Sequence, residues 1–273
     1  MRQRPRGDSR GILAPGRLLR QVRFHRYLPA GVLRPWVEHY WFVDWDLTEP
    51  FAQRVVPHPA VNLVFRRHGD GPASGEVAGV GLALFSITLS GTGRVSGVQF
   101  RPGGFHPFWR GSVAELTGRR RPLADLAELW PPARDHTGDI CDGTDADRCR
   151  RLDALLTGWV PRAVADPVTD EVIRLVEEIR TDRTVLRVDT FAERHGLTTR
   201  RLQRLFLERV GVGPKWVIRR YRIQEVIEQA AGGSPPDWAG LAADLGYSDQ
   251  AHLVREFRAV TGTSPAAYVR SLT

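Results

Sequence analysis

Arg200, Arg201, Gln203 and Arg204 stand within five positions of one another, and the first acid after them is Glu208. Guanidinium and amide groups at such spacing share one face of a helix. They can donate to guanine and adenine edges in pairs, or to phosphate oxygens. A second set, Gln250, Ala251, His252 and Arg255, lies about fifty residues on. The two sets sit inside a repeat. Leu202-Gln203-Arg204-Leu205-Phe206, then Gly211 and Pro214, is matched at an offset of 51 residues by Leu253-Val254-Arg255-Glu256-Phe257, Gly262 and Pro265. Leucine and phenylalanine four apart bury together on one helical face, while the arginine between them points elsewhere. The glycine ends the helix in a left-handed conformation, and the proline opens the next helix where no amide donor is missed.

Each copy follows a short helix and a turn, with Ala192 and Ala242 small enough for close helix crossing. Gly196 and Gly246 suit a sharp turn, and Thr198 and Ser248 can cap the helix that follows. The second turn is one residue longer between glycine and leucine. The pattern is a helix-turn-helix written twice, with the second helix of each copy suited to a major groove. A plain helical bundle with duplicated packing is the competing reading, and the acid-free cationic face of the first copy counts against it.

Charge agrees. The chain of 273 residues has 39 basic and 31 acidic residues, a net +8. The excess is concentrated in two stretches, Arg2 to Arg26 and Arg194 to Arg222, and the remainder is acidic on balance. Lys215 is the single lysine. Such segments suit an anionic polymer. Cys141 and Cys149 have no ligand pair beside them, so neither a zinc site nor a redox role is expected, and reduced thiols of a cytoplasmic protein are. No apolar run is long enough to span a membrane, and no secretory signal follows the Arg-rich start.

Residues 168–273 resemble the twin helix-turn-helix DNA-binding domain of the AraC/XylS family of bacterial transcription regulators. The resemblance rests on residues 202–206 with Gly211-Val212-Gly213-Pro214-Lys215. It rests also on Gly246-Tyr247-Ser248-Asp249-Gln250, Phe257 and Gly262-Thr263-Ser264-Pro265. It implies a linker helix at about 214–230 that sets both reading helices into successive grooves on one face of double-stranded promoter DNA, ~34 Å apart. Carried over by position, Arg200, Gln203 and Arg204 read bases in the first unit. In the second, Gln250, Ala251, His252 and Arg255 do so, with Ala251 able to touch a thymine methyl. Thr198, Arg201 and Ser248 are placed at phosphates. RNA polymerase, a small-molecule effector and a second copy of the chain are further candidate partners; no cofactor is implied.

The expected fold class is α+β. Residues 1–20 read as a disordered basic tail, and 21–165 as a mainly antiparallel β domain with flanking helices that senses or dimerises. Residues 166–273 read as the all-α DNA-binding domain, with helix-turn-helix units at about 188–210 and 238–260. Strands are expected at 22–28, 37–47, 55–56, 61–66, 79–90 and 95–101, short helices at 113–116 and 123–129, an acidic loop at 135–147, and a boundary near 161–167. Segments 36–45, 57–65 and 97–104 loosely resemble the N-terminal domain of an AraC subgroup. Trp36, Trp41 and Trp45 read first as core and second as a ligand pocket. Arg101 before Pro102 reads first as closing a turn. Histidines 25, 39, 58, 68 and 106 form no His-x-His pair. No phosphate loop, nucleophile elbow or zinc spacing marks an enzyme. Two alternatives stay open. One is an architectural DNA binder without effector. The other is alkylation-repair chemistry fused to AraC-type units, which the settings of Cys141 and Cys149 do not match.

Overall fold

The structure, a computed structural model, describes residues 11–109, 111–126, 139–158, 166–231 and 237–272. Six antiparallel strands form one sheet in the order β1-β2-β5-β3-β4-β6. They are β1 Arg23–Tyr27, β2 Val37–Val55, β3 Asn62–His68, β4 Ser74–Ala78, β5 Phe85–Phe100 and β6 Arg120–Pro122. Helix α1, Pro15–Gln21, precedes the sheet and α2, Asp145–Thr157, follows it. The C-terminal region is helical: α3 Pro167–Thr181, α4 Val188–Arg194, α5 Thr199–Arg209, α6 Pro214–Ala230, α7 Trp238–Asp244, α8 Gln250–Thr261 and α9 Pro265–Arg270.

On one face of the sheet Tyr40, Phe42, Leu63, Phe65, Val77 and Val98 pack against Leu152, Leu155 and Leu156 of α2. The fully buried Arg148 pins this helix. Its guanidinium lies 4.2 Å from the Phe42 ring centre and donates to Asp44 and Ser96, each at 2.8 Å. Burial pushes its pKa down to about 10, so it stays charged at neutral pH. Trp36 is half-buried against this core, whereas the other face carries Trp41, which is half-buried, and Trp45, which is buried in a second core with Leu18, Phe51 and Leu89. A Cβ on Gly97 would lie 1.9 Å from the Trp41 ring, and one on Gly93 2.2 Å from that of Trp45. Only glycine lets these indoles lie flat on the sheet. Trp36 stands edge-on to Phe108. Arg101 closes a turn, its backbone N–H donating to Trp36 O at 2.8 Å and its side chain to Arg34 O at 2.9 Å.

Several expectations need correction. Residues 11–20 are ordered: Ile12 pairs with Val55, and Leu13 and Leu18 are buried. Their apolar side chains outweigh the glycine- and arginine-rich composition that suggested a tail; 1–10 lie outside the described residues. Segments 37–47 and 55–56 are one strand, and 95–101 joins the end of 79–90 in β5. The polar stretch near Pro50 is an irregularity inside the long antiparallel β2–β5 pairing, where register shifts between Leu47 and Phe51. β4 lies between the strands expected at 61–66 and 79–90, where none was expected. The acidic segment is not a loop throughout. Ile140 and Cys141 are buried, and Asp145 and Asp147 form the first turn of α2, where Thr144 and Asp147 make a capping box. Acids there complement the helix dipole. Of the expected helix at 123–129, 123–126 is a 3-10 turn and the rest lies outside the described residues, as does Pro161. Pro167 opens α3 behind its cap Asp166.

The two regions pack together. Val80, from the loop after β4, is fully buried with Phe191, Leu202 and Phe206. Leu13 and Val56 are buried with Ile223, Leu241 and Phe257. Arg220 of α6 donates to Leu82 O at 3.3 Å, and the Thr117 hydroxyl donates to Gly211 O at 2.6 Å.

Candidate nucleic-acid interface

Both units have the same internal construction. In the first, Gly196 at φ 65° turns the chain between α4 and α5, with Gly196 N–H on Glu193 O at 3.0 Å and Leu197 N–H on Ala192 O at 2.9 Å. In the second, Gly246 at φ 75° repeats the turn between α7 and α8, with Gly246 N–H on Ala243 O at 3.1 Å and Tyr247 N–H on Ala242 O at 2.9 Å. Such φ values cost a side-chain-bearing residue free energy and glycine almost none. The alanines are fully buried at the crossing, and Leu202, Phe206, Leu253 and Phe257 are each fully buried. Pro214 and Pro265 open α6 and α9.

α6 is the shared spine. Val217, Ile218 and Tyr221 belong to the core of the first unit, and Ile223, Val226, Ile227 and Ala230 to that of the second. Arg222 reaches from its middle to Ile179 O at 3.2 Å, Asp182 O at 2.7 Å and Val185 O at 3.2 Å. It satisfies carbonyls that the end of α3 leaves free.

Arg200, Arg201, Gln203 and Arg204 are all exposed on α5. Thr198 caps that helix, its hydroxyl accepting from Arg201 N–H at 3.2 Å. Among the described residues none of these three arginines has a carboxylate at ion-pair distance. Arg187, Arg194, Arg209 and Arg222 nearby are all paired, with Asp189, Glu178 and Asp182, Asp166, and Glu225 respectively. These four guanidiniums are paired, whereas those of Arg200, Arg201 and Arg204 on α5 are not, among the described residues.

The second face differs. Gln250, Ala251 and Arg255 are exposed and His252 is half-buried. The expected cap Ser248 is replaced by Asp249, whose carboxylate accepts from His252 N–H at 2.6 Å. That hydrogen bond holds the Asp249 carboxyl below its usual pKa. Ser248 sits outside the helix, its hydroxyl 3.3 Å from both Asp249 Oδ2 and His252 Nδ1. The extra residue in the second turn moves the cap by one, and the signal was present. Asp249 stands four before Leu253, as Thr198 stands four before Leu202. Two further residues were missed. Glu256, in place of the first copy's Leu205, lies 3.9 Å from His252 Nε2 and 3.9 Å from Arg219 of α6.

Two helix-turn-helix units on a common helix, one with a cationic face that no carboxylate neutralises among the described residues, define a DNA-binding protein of the transcription-regulator class. Residues 191–271 match the family model of a helix-turn-helix domain, and 25–122 match a domain of unknown function, DUF6597. The C-terminal region thus matches a helix-turn-helix domain, as expected of a DNA-binding transcriptional regulator. Among solved structures, the chain is similar to the C-terminal domain of AraT, a response regulator from Geobacillus stearothermophilus. The identity is 21%, over 40% of this chain and 88% of that one, with a TM-score of 0.35. It is also similar to unsaturated fatty acid-bound ToxT from Vibrio cholerae, at 14% identity over 87% and 96% of the two chains and a TM-score of 0.44. No curated protein matches the chain significantly. Among the described residues no helix is long and apolar enough to cross a membrane.

Proposed function

We propose that α5 and α8 enter successive major grooves on one face of duplex DNA. Arg200, Gln203 and Arg204 read bases in one groove, and Gln250, Ala251, His252 and Arg255 in the next. Thr198, Arg201 and Ser248 lie at phosphates. The observation that carries the reading is the contrast between the free guanidiniums of α5 and the paired ones around them. Guanidinium forks without carboxylate partners match guanine edges and phosphates. The experiment is selection of duplexes from a randomised library, followed by footprinting. The expected result is protection of two major-groove patches about 10 base pairs apart. Sequence-tolerant binding with a steep salt dependence would instead support the architectural reading.

We infer also that the N-terminal domain modulates this binding. The support is that it touches both units, through Val80 and Thr117 at the first and Leu13 and Val56 at the second. A cleft of about 460 Å³ lined by Arg23, Asp44, Trp45, Arg67, Asp70 and Arg94 is a candidate site for an effector on it. Repair chemistry is disfavoured by the thiols: Cys141 and Cys149 are buried, and burial pushes the Cys141 pKa up, away from a reactive thiolate. Asp142, next to Cys141, pairs with Arg67.

A further inference from the structure

The repeat departs from itself at one position in the middle of its second helix. Leu205 in the first unit is 3% exposed and part of the core, whereas its counterpart is Glu256. The Glu256 side chain is itself only 16% exposed. A carboxylate so far out of water costs free energy unless something compensates it. Two groups do so. Arg219 approaches from α6, its Nε 3.9 Å from Glu256 Oε2, and His252 approaches from one turn back on α8, its Nε2 at the same distance from the same oxygen. His252 is held on its other side by Ser248, whose hydroxyl lies 3.3 Å from Nδ1, and edge-on by the Tyr247 ring at 5.2 Å. The Tyr247 hydroxyl is buried with no hydrogen-bond partner among the described residues, and burial, then Glu256, raises its pKa.

We propose that Glu256 is a positioning residue for base recognition by the second unit. It fixes the imidazole of His252 in the first turn of α8 and ties that helix to the spine helix through Arg219. As an anion behind the reading face it also weakens indiscriminate attraction to phosphate. The first unit has no carboxylate at this position: Leu205 stands there in the core, and Arg200, Arg201 and Arg204 have no carboxylate partner among the described residues. The inference rests on α8 being a base-reading helix.

The test uses the full chain and the duplex that the wild-type protein selects. Dissociation constants for that duplex and for a scrambled one are measured at one salt concentration for Glu256→Gln, Glu256→Leu, His252→Gln and the double variant Glu256→Gln/His252→Gln. Glu256→Leu installs the residue the first unit carries at this position, so folding should survive. Both Glu256 variants are expected to bind the scrambled duplex more tightly and to lose about fivefold in the ratio of selected to scrambled affinity. The double variant should lose little more than either single one, because Glu256 acts through His252. A purely structural role would shift the unfolding midpoint and leave the ratio unchanged. An unchanged ratio in both folded Glu256 variants, or fully additive losses in the double variant, overturns the proposal while the base-reading assignment stands. A wild-type protein that prefers no duplex overturns both.

Discussion

Gly211 and Gly262 occupy the same position in the two copies, and the structure separates what each does. Both lie in the left-handed region, at φ 96° and 78°, so alanine at either costs about 1–2 kcal/mol in the backbone. About half of that is offset by a stiffer unfolded chain. A methyl group on Gly262 would meet nothing nearer than Arg54 at 3.6 Å and Leu84 at 3.7 Å, ordinary contact distances. One on Gly211 would lie 2.8 Å from Thr117 Oγ1 and 3.1 Å from the backbone oxygen of Val113. Thr117 could relieve the first contact only by rotating away from Gly211 O, which forfeits a hydrogen bond worth about 1 kcal/mol. Val113 O, being backbone, cannot rotate away, and overpacking of this kind costs about 1–3 kcal/mol. Gly262→Ala should therefore cost about 1 kcal/mol and Gly211→Ala about 3–4 kcal/mol. Urea unfolding followed by tryptophan fluorescence measures both. Thr117→Val, which removes the hydrogen bond and leaves the backbone alone, should cost about 1 kcal/mol. If the two glycine variants come within about 0.5 kcal/mol of each other, the N-terminal domain does not grip the first unit at this point, and the reasoning fails.

Arg204→Ala should lose about 1–3 kcal/mol of binding and relax discrimination at one base pair; an unchanged profile over single-base variants of the selected duplex rules out base reading by Arg204. Arg201→Ala should reduce the slope of log affinity against log salt by about 1, and His252→Ala should leave it nearly unchanged, so equal slopes would contradict the division of labour between the units. His106 sits between the domains, its Nδ1 2.9 Å from an Arg209 NH group that can donate only to the neutral ring. Burial, then Arg209, lowers its pKa below 6.5. Its contribution to stability is therefore complete above pH 6.5 and is lost as the pH falls from there through the lowered value. Urea midpoints at pH 7.5 and 5.5 should differ less in His106→Gln than in wild type.

What the sequence revealed and what it hid follow from the range of the forces involved. The helices of the two units were legible because their start and stop signals are local. Pro214, the 3.6-residue period and the following Gly-rich break bound α6 at 214–230, and the observed helix has those limits. The cap of α8 was misassigned because the turn was aligned from its glycine; aligned backwards from Leu253, Asp249 falls at the cap. Strand β2 reads as two pieces because it pairs with β5 at long range, across an irregularity near Pro50 that reads locally as a turn. Contacts between the domains were invisible altogether. Thr117 and Gly211 are 94 residues apart, and neither a threonine nor a helix-ending glycine announces a partner at that distance.

The proposed interface residues are read from type and spacing, yet the difference between the two faces depends on groups that are not on the faces. Behind α5 the cap is the neutral Thr198, and Leu205 fills the position beneath the cations. The partial positive charge of the helix N-terminus and the free arginines therefore add, and both favour phosphate. At the start of α8, Asp249 already occupies the amides that a phosphate would use, and Glu256 offsets Arg219 from behind. An anionic backbone gains little there unless the bases in front complement Gln250 and Arg255. On the proposed reading, the first unit therefore supplies more of the phosphate affinity and the second discriminates more finely between sequences. A pair built from two copies of the first face would hold DNA more tightly and read it less well.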